Sequence, residues 1–118
     1  MKLLASISLT LFSASALSAT LTWEPPTSRV DGTPLDPATE ISEYRLTCGD
    51  TVTPIPATMT GQEYEVAKHE ILPGYGTYDC FLTAVDTDGL VSMPSNAVIL
   101  EWTKQPPSAP TNLLIIRE

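Results

Sequence analysis

A single histidine, two cysteines and six basic residues are all that the 118-residue sequence offers of those types. One histidine, with two cysteines 31 residues apart in the intervening chain, excludes a His/Cys zinc cluster, which needs four ligands at short spacings. The six lysines and arginines face 14 acidic residues, for a net charge of −8. Binding a phosphate backbone or an anionic lipid surface takes a basic face, so neither nucleic acid nor such a membrane is an expected partner. No G-x-S-x-G, H-E-x-x-H or P-loop pattern occurs, which removes the commonest hydrolase, metalloprotease and nucleotide sites. Arg-Gly-Asp and N-x-S/T sequences are missing as well. Charged residues make up 17% against 42% apolar, the balance of a folded chain and not of a disordered one. The length suits one domain.

Residues 1–19, MKLLASISLTLFSASALSA, have the make-up of an export signal. Lys2 supplies a positive start, residues 3–12 an apolar stretch, and Ala14-Ser15-Ala16 fits the small-x-small cleavage rule. Scission after Ala19 is the alternative. The segment is too short, and too rich in Ser and Thr, for a membrane span; a buried strand or helix of the fold is the competing reading. No cysteine follows the small-residue zone, so a lipid anchor is not expected. The mature chain is then expected to be secreted or periplasmic, without a membrane span, and more acidic for the loss of Lys2. Export also bears on Cys48 and Cys80. In an oxidising compartment a lone pair of cysteines closes a disulfide, with two buried free thiols as the alternative.

Past residue 19 the pattern is one of short strands and turns. Residues 20–24 (TLTWE) set Leu21 and Trp23 on one face, and Pro25-Pro26 ends the run because proline cannot donate to a ladder. Residues 27–40 carry Asp31-Gly32 and two more prolines, and read as a long loop. Residues 42–48 alternate, with Tyr44, Leu46 and Cys48 inward. Gly49-Asp50 is a turn, and Pro54 and Pro56 mark residues 51–59 as an edge strand or irregular crossing. Residues 62–68 read as a strand with Tyr64 and Val66 inward. Leu72-Pro73-Gly74 turns into residues 77–86, the strongest strand, with Tyr78, Cys80, Leu82 and Ala84 on one face. Asp86-Thr87-Asp88-Gly89 reads as a hairpin-type connection, and residues 96–102 as a last strand with Val98, Leu100 and Trp102 inward. Six to seven antiparallel strands separated by Pro/Gly turns predict an all-β, immunoglobulin-like β-sandwich over residues 20–104. Trp23, Tyr44, Leu46, Leu72, Tyr78, Leu82, Ala84, Val98 and Leu100 are its expected core.

These residues resemble a fibronectin type III domain of bacterial type. LTWEPP (residues 21–26) is similar to that family's second strand, and Ile41-x-x-Tyr44-x-Leu46 to its third. Leu72-Pro73-Gly74 followed by Tyr78-x-Cys80-x-Leu82-x-Ala84 resembles its proline-glycine turn and tyrosine corner, and Gly89 with Pro94-Ser95-Asn96 the approach to its last strand. The resemblance implies a Tyr78 hydroxyl bonded back to the main chain. It also implies that the strands holding Cys48 and Cys80 are antiparallel neighbours, which supports a disulfide between them.

Two departures from the family concern the ends. The family's first strand is missing before Leu21, and residues 106–118 (PPSAPTNLLIIRE) resemble that strand placed after the domain. Residues 105–118 therefore read in three ways: a disordered stub, a tail folded back on its own domain, or an assembly strand in which Leu113, Leu114, Ile115 and Ile116 pair with a neighbouring molecule.

Catalysis is not expected. The carboxylates fall on outward strand positions and in turns, Asp86-x-Asp88-Gly89 lacks the later ligands of a calcium loop, and His69 ends an acidic strand as a surface residue. No cofactor or metal is expected. The reading is a non-catalytic binding module acting through protein or glycan contacts, with Arg29, Asp31, Leu35, Leu90 and Met93 on the loops of one pole as the candidate binding residues. The alternatives are a structural subunit of an envelope, fibre or virion that self-associates through its tail, and a small secreted enzyme inhibitor.

Overall fold

The computed structural model describes residues 8–12, 17–59 and 63–117. Lys2, the Ala14-Ser15-Ala16 zone and Gln62 lie outside the described residues. Two antiparallel sheets account for most of the regular secondary structure among the described residues. One has the order β1 (Ser8–Phe12), β2 (Ser18–Glu24), β5 (Tyr64–Ala67); the other runs β4 (Thr51–Pro56), β3 (Ile41–Cys48), β6 (Gly76–Asp86), β7 (Val98–Trp102). Two one-turn helices, α1 (Pro37–Glu40) and α2 (Lys68–Ile71), and a 3-10 turn at Ala57–Met59 complete the elements.

Period-two alternation makes the layers. In β2, Ala19, Leu21 and Trp23 are buried while their neighbours are not; in β3 the same holds for Tyr44, Leu46 and Cys48. Each sheet thus has one apolar face, and the two faces cover each other. Trp23 of the first sheet meets Tyr44 of the second edge-on, ring centroids 5.1 Å apart, an arrangement the ring quadrupoles favour. Of the expected core, Trp23, Tyr44, Leu46, Leu72, Leu82, Ala84 and Leu100 are buried, whereas Tyr78 and Val98 are half-buried and pack against the core from its margin. Leu9, Ala19, Leu21, Leu35, Ile41, Cys48, Ile55, Val66, Ile71 and Cys80 complete it.

Proline and glycine set the limits of the strands. Pro54 and Pro56 sit in β4, an edge strand, where a missing N–H is tolerated. Gly49 opens the β3–β4 turn at φ +59, and a Cβ there would lie 3.0 Å from the ring of Tyr78. The tyrosine closes its own turn: its hydroxyl donates to the Gly74 carbonyl at 3.0 Å. Cys48 and Cys80 are directly opposed in the β3–β6 ladder, Cα atoms 4.3 Å apart, and form a disulfide, which is consistent with an oxidising compartment.

Three elements differ from the pattern expected. The strand expected over residues 62–68 is confined to Tyr64–Ala67, because Lys68 turns inward and donates from Nζ to the Glu101 carbonyl at 2.7 Å, starting α2. The last strand begins at Val98, not at Asn96, whose side chain instead binds the main chain of Leu9. Finally, Ser8–Phe12 pairs along β2 as an edge strand, with Leu9 opposite Trp23, and Ser18 and Ala19 belong to β2 itself. Among the described residues, no helix is long and apolar enough to cross a membrane.

Candidate functional site

One pole of the molecule holds a groove of about 480 Å³ between the loop that follows β2 and the chain that follows β6. The first wall arises because Pro25-Pro26 ends the β2 ladder. Beyond it the chain folds on itself. Arg29 N–H donates to the Thr33 carbonyl at 2.8 Å, and Ser28 bridges Pro34. The Asp31 carboxylate accepts both the Thr33 N–H, at 3.0 Å, and its hydroxyl, at 2.8 Å. The Leu35 N–H returns to the Thr27 carbonyl at 3.0 Å, which turns the Leu35 side chain into the core. Asp36 then caps α1 by accepting the Ala38 N–H, while Glu40 reaches back to the Asp36 N–H. That reciprocal pattern satisfies donors which a helix start leaves free.

The second wall begins at Asp86, the last residue of β6. Its Oδ1 accepts the N–H groups of Asp88 and Leu90, and Gly89 completes the turn at φ +85, where an L side chain would be strained. Residues 90–96 then run beside β6 without forming a regular strand. Ser92 and Ser95 replace the ladder: their hydroxyls accept the N–H groups of Ala84 and Leu82, and their own N–H groups donate to the same residues' carbonyls.

Arg29 ties the walls together. Its guanidinium donates to Asp86 Oδ2 at 2.9 Å and to Glu40 Oε1 at 3.2 Å. Asp86 is buried, and the Arg29 hydrogen bond, followed by the Leu90 and Asp88 N–H groups, holds its carboxyl below the usual carboxylate range although burial acts the other way. The same two carboxylates raise the Arg29 pKa further, so the cross-tie is charged at any ordinary pH.

The groove therefore has a cross-tied frame and an apolar lining. Leu35, Ile41 and Ala84 make the buried floor, and Val30, Leu90, Val91 and Met93 form a rim that stands more than half exposed. No aromatic ring is among the lining residues. Arg29, Asp31, Leu35, Leu90 and Met93, the residues expected on the binding loops, are all brought to this one groove. Two have other parts than a loop tip suggests: Leu35 is floor, at 8% exposure, and Arg29 is the cross-tie. Sequence reasoning missed Val30, Ile41, Val91 and the Arg29–Asp86–Glu40 network. Asp86 was legible only as a turn former, because a pairing across 57 residues has no local signature.

The tail lies apart from the groove. Leu113, Leu114, Ile115 and Ile116 are 93%, 75%, 80% and 93% exposed and carry no secondary structure. His69 is on the surface of α2. Among the described residues, no group of three or more His, Cys, Asp or Glu side chains is placed to hold a metal ion. No protein-family model matches the chain, and a search of the curated proteins finds no match to it.

Proposed function

We propose that this chain is an exported, non-catalytic binding module of fibronectin type III-like architecture whose polar-end groove takes an apolar side chain from a protein partner. The architecture is supported by the two antiparallel sheets, the Tyr78 hydroxyl on the Gly74 carbonyl, and the match of LTWEPP and the Leu72–Gly74 turn to the family's pattern. Export is supported by the composition of residues 1–19 and by a disulfide that suits an oxidising compartment.

One observation carries the binding reading: an exposed aliphatic rim surrounds a buried apolar floor, and the walls are fixed to each other by the Arg29–Asp86 ion pair. A fixed apolar hollow loses little entropy on binding, which is what an anchor-side-chain site requires. The lining has no aromatic ring for a sugar to stack on, so the favoured ligand is a protein segment and not a glycan. Selection of a displayed peptide library on the immobilised protein tests this. Enriched peptides share an aromatic or large aliphatic anchor, and the Leu90→Asp/Met93→Asp double variant binds them about tenfold or more weakly. Equal binding by the variant, with its melting temperature unchanged, overturns the assignment to the groove.

The structural-subunit reading is favoured by a separate observation, the four consecutive exposed aliphatics of residues 113–116. Contiguous apolar exposure of that kind marks contact surfaces.

A further inference from the structure

The edge of β2 is held closed by β1, and β1 lies inside the segment assigned to the export signal. The antiparallel register runs from Ser8↔Glu24 to Phe12↔Thr20. Leu9 is 2% exposed opposite Trp23. Asn96 grips the main chain of Leu9 from both sides: Leu9 N–H donates to Oδ1 at 2.7 Å, and Nδ2 donates to the Leu9 carbonyl at 2.9 Å. These contacts read only backbone. Any extended segment in that register satisfies them, provided an aliphatic side chain enters where Leu9 sits.

Export vacates this slot. Ala19 is fully buried, Ser18 pairs with Ala67, and the Leu17 carbonyl accepts the Lys68 N–H at 2.9 Å. Scission after Ala16 therefore leaves β2 whole, and scission at either candidate position detaches β1. What remains is an unpaired β2 edge, an uncovered Trp23 and a polar clamp without its ligand. Bare edges of this kind recruit strands.

We propose that residues 112–116 of a second copy fill the vacated β1 position of the exported protein, joining subunits head to tail. The proposal rests on the export reading above. The tail has the required chemistry: alternation puts Leu113 with Ile115 on one face and Leu114 with Ile116 on the other, so either face offers aliphatics two residues apart. Pro106, Pro107 and Pro110 hold the approach extended. In the structure residues 103–117 are exposed throughout, and the molecule measures 82 Å along its longest axis against 24 and 22 Å. The chain's own tail is badly placed for the slot. β7 ends beside Lys68, at the end of the sheet where β1 finishes, whereas a strand antiparallel to β2 must begin at the Asn96 end. The chain's own tail would need to retrace about 20 Å of β7 and reverse direction within residues 103–111, three of them proline. A neighbour's tail arrives without that reversal. The contact joins two different surfaces, so it generates rings or open filaments and not a closed two-fold dimer.

The test uses the full gene with its own leader, exported and purified, with intact mass to locate the amino terminus and light scattering across a concentration series. The expected result is a chain starting at Leu17 or Thr20 whose solution mass rises in whole-subunit steps with concentration. Leu114→Asp/Ile115→Asp, which places a charge on both tail faces, stays monomeric with an unchanged far-UV spectrum. A synthetic peptide of residues 106–118 lowers the wild-type mass, and Asn96→Ala weakens capture of that peptide about tenfold. A processed chain that stays monomeric and ignores the peptide overturns strand donation while leaving export intact. Assembly that survives the tail variant overturns it too. An exported chain that retains residues 1–16 overturns the export reading, and with it the vacated slot.

Discussion

Asp86 joins three parts of the pole through one carboxylate. Oδ1 holds the turn N–H groups of Asp88 and Leu90, and Oδ2 holds Arg29, which in turn holds Glu40. Because its folded pKa is depressed, its contribution to stability is full above the unfolded value of about 4 and is lost as pH falls through the folded value. Asp86→Asn keeps one acceptor and cannot titrate. The expected result is a melting temperature below wild type at pH 7 and a gap that closes as pH is lowered from 5 towards 2. A gap independent of pH would separate Asp86 from Arg29. Tyr78→Phe isolates a simpler contact: losing the hydrogen bond to Gly74 costs about 1 kcal/mol, read as a fall of roughly 4–8 °C in melting temperature. The residue scale is also where sequence reading reached least far. Leu35 sits in a Thr-Pro-Leu-Asp-Pro context that signals a loop tip, yet the Thr27–Leu35 hydrogen bond turns it into the core. Asn96 carries ordinary turn-residue character while its amide grips a residue 87 positions away.

Strands were far more legible than contacts, and the reason is their period. Alternation in residues 42–48 and 77–86 marks both the elements and their inward faces, and the prolines of β4 mark an edge. Residues 90–96 defeated that logic: they do the bonding of a strand with serine hydroxyls, which leaves no alternation to read. Residues 8–12 satisfied two readings at once, since a short apolar run with interleaved Ser and Thr suits both an export signal and an edge strand. At this scale the disulfide makes the clearest prediction. Cys48 and Cys80 staple the two central strands of the four-stranded sheet across a separation of 32 residues. The Cys48→Ser/Cys80→Ser variant is expected to lose roughly 3.5–4 kcal/mol and about 15–25 °C in melting temperature. A loss under about 1 kcal/mol would show that packing between β3 and β6 suffices without the staple.

The whole molecule divides its surface between two apolar features in an acidic background. One is the apolar groove at one pole, cross-tied by Arg29; the other is the exposed tail, which contributes no residue to the groove. A net charge of −8 keeps unspecific association low and favours partners that are neutral or basic. The ionisable side chains at the groove, Arg29, Asp31 and Asp86, are engaged in hydrogen bonds within its walls. If the groove binds and the tail assembles, each copy in a filament displays its groove, and weak single-site affinity is multiplied by repetition. That multiplication predicts tighter apparent binding to a partner-coated surface by wild-type protein than by the Leu114→Asp/Ile115→Asp variant, with identical affinity for one free peptide. Surface plasmon resonance in both orientations separates the two quantities.

The most direct measurement is a titration of ¹⁵N-labelled protein with the peptide that library selection enriches most strongly. Binding at the groove predicts amide shifts concentrated at Val30, Leu35, Ala84, Leu90 and Met93, saturating together on one isotherm. Shifts confined to β4 and β5, or none at all up to millimolar peptide, would contradict a binding site at this pole.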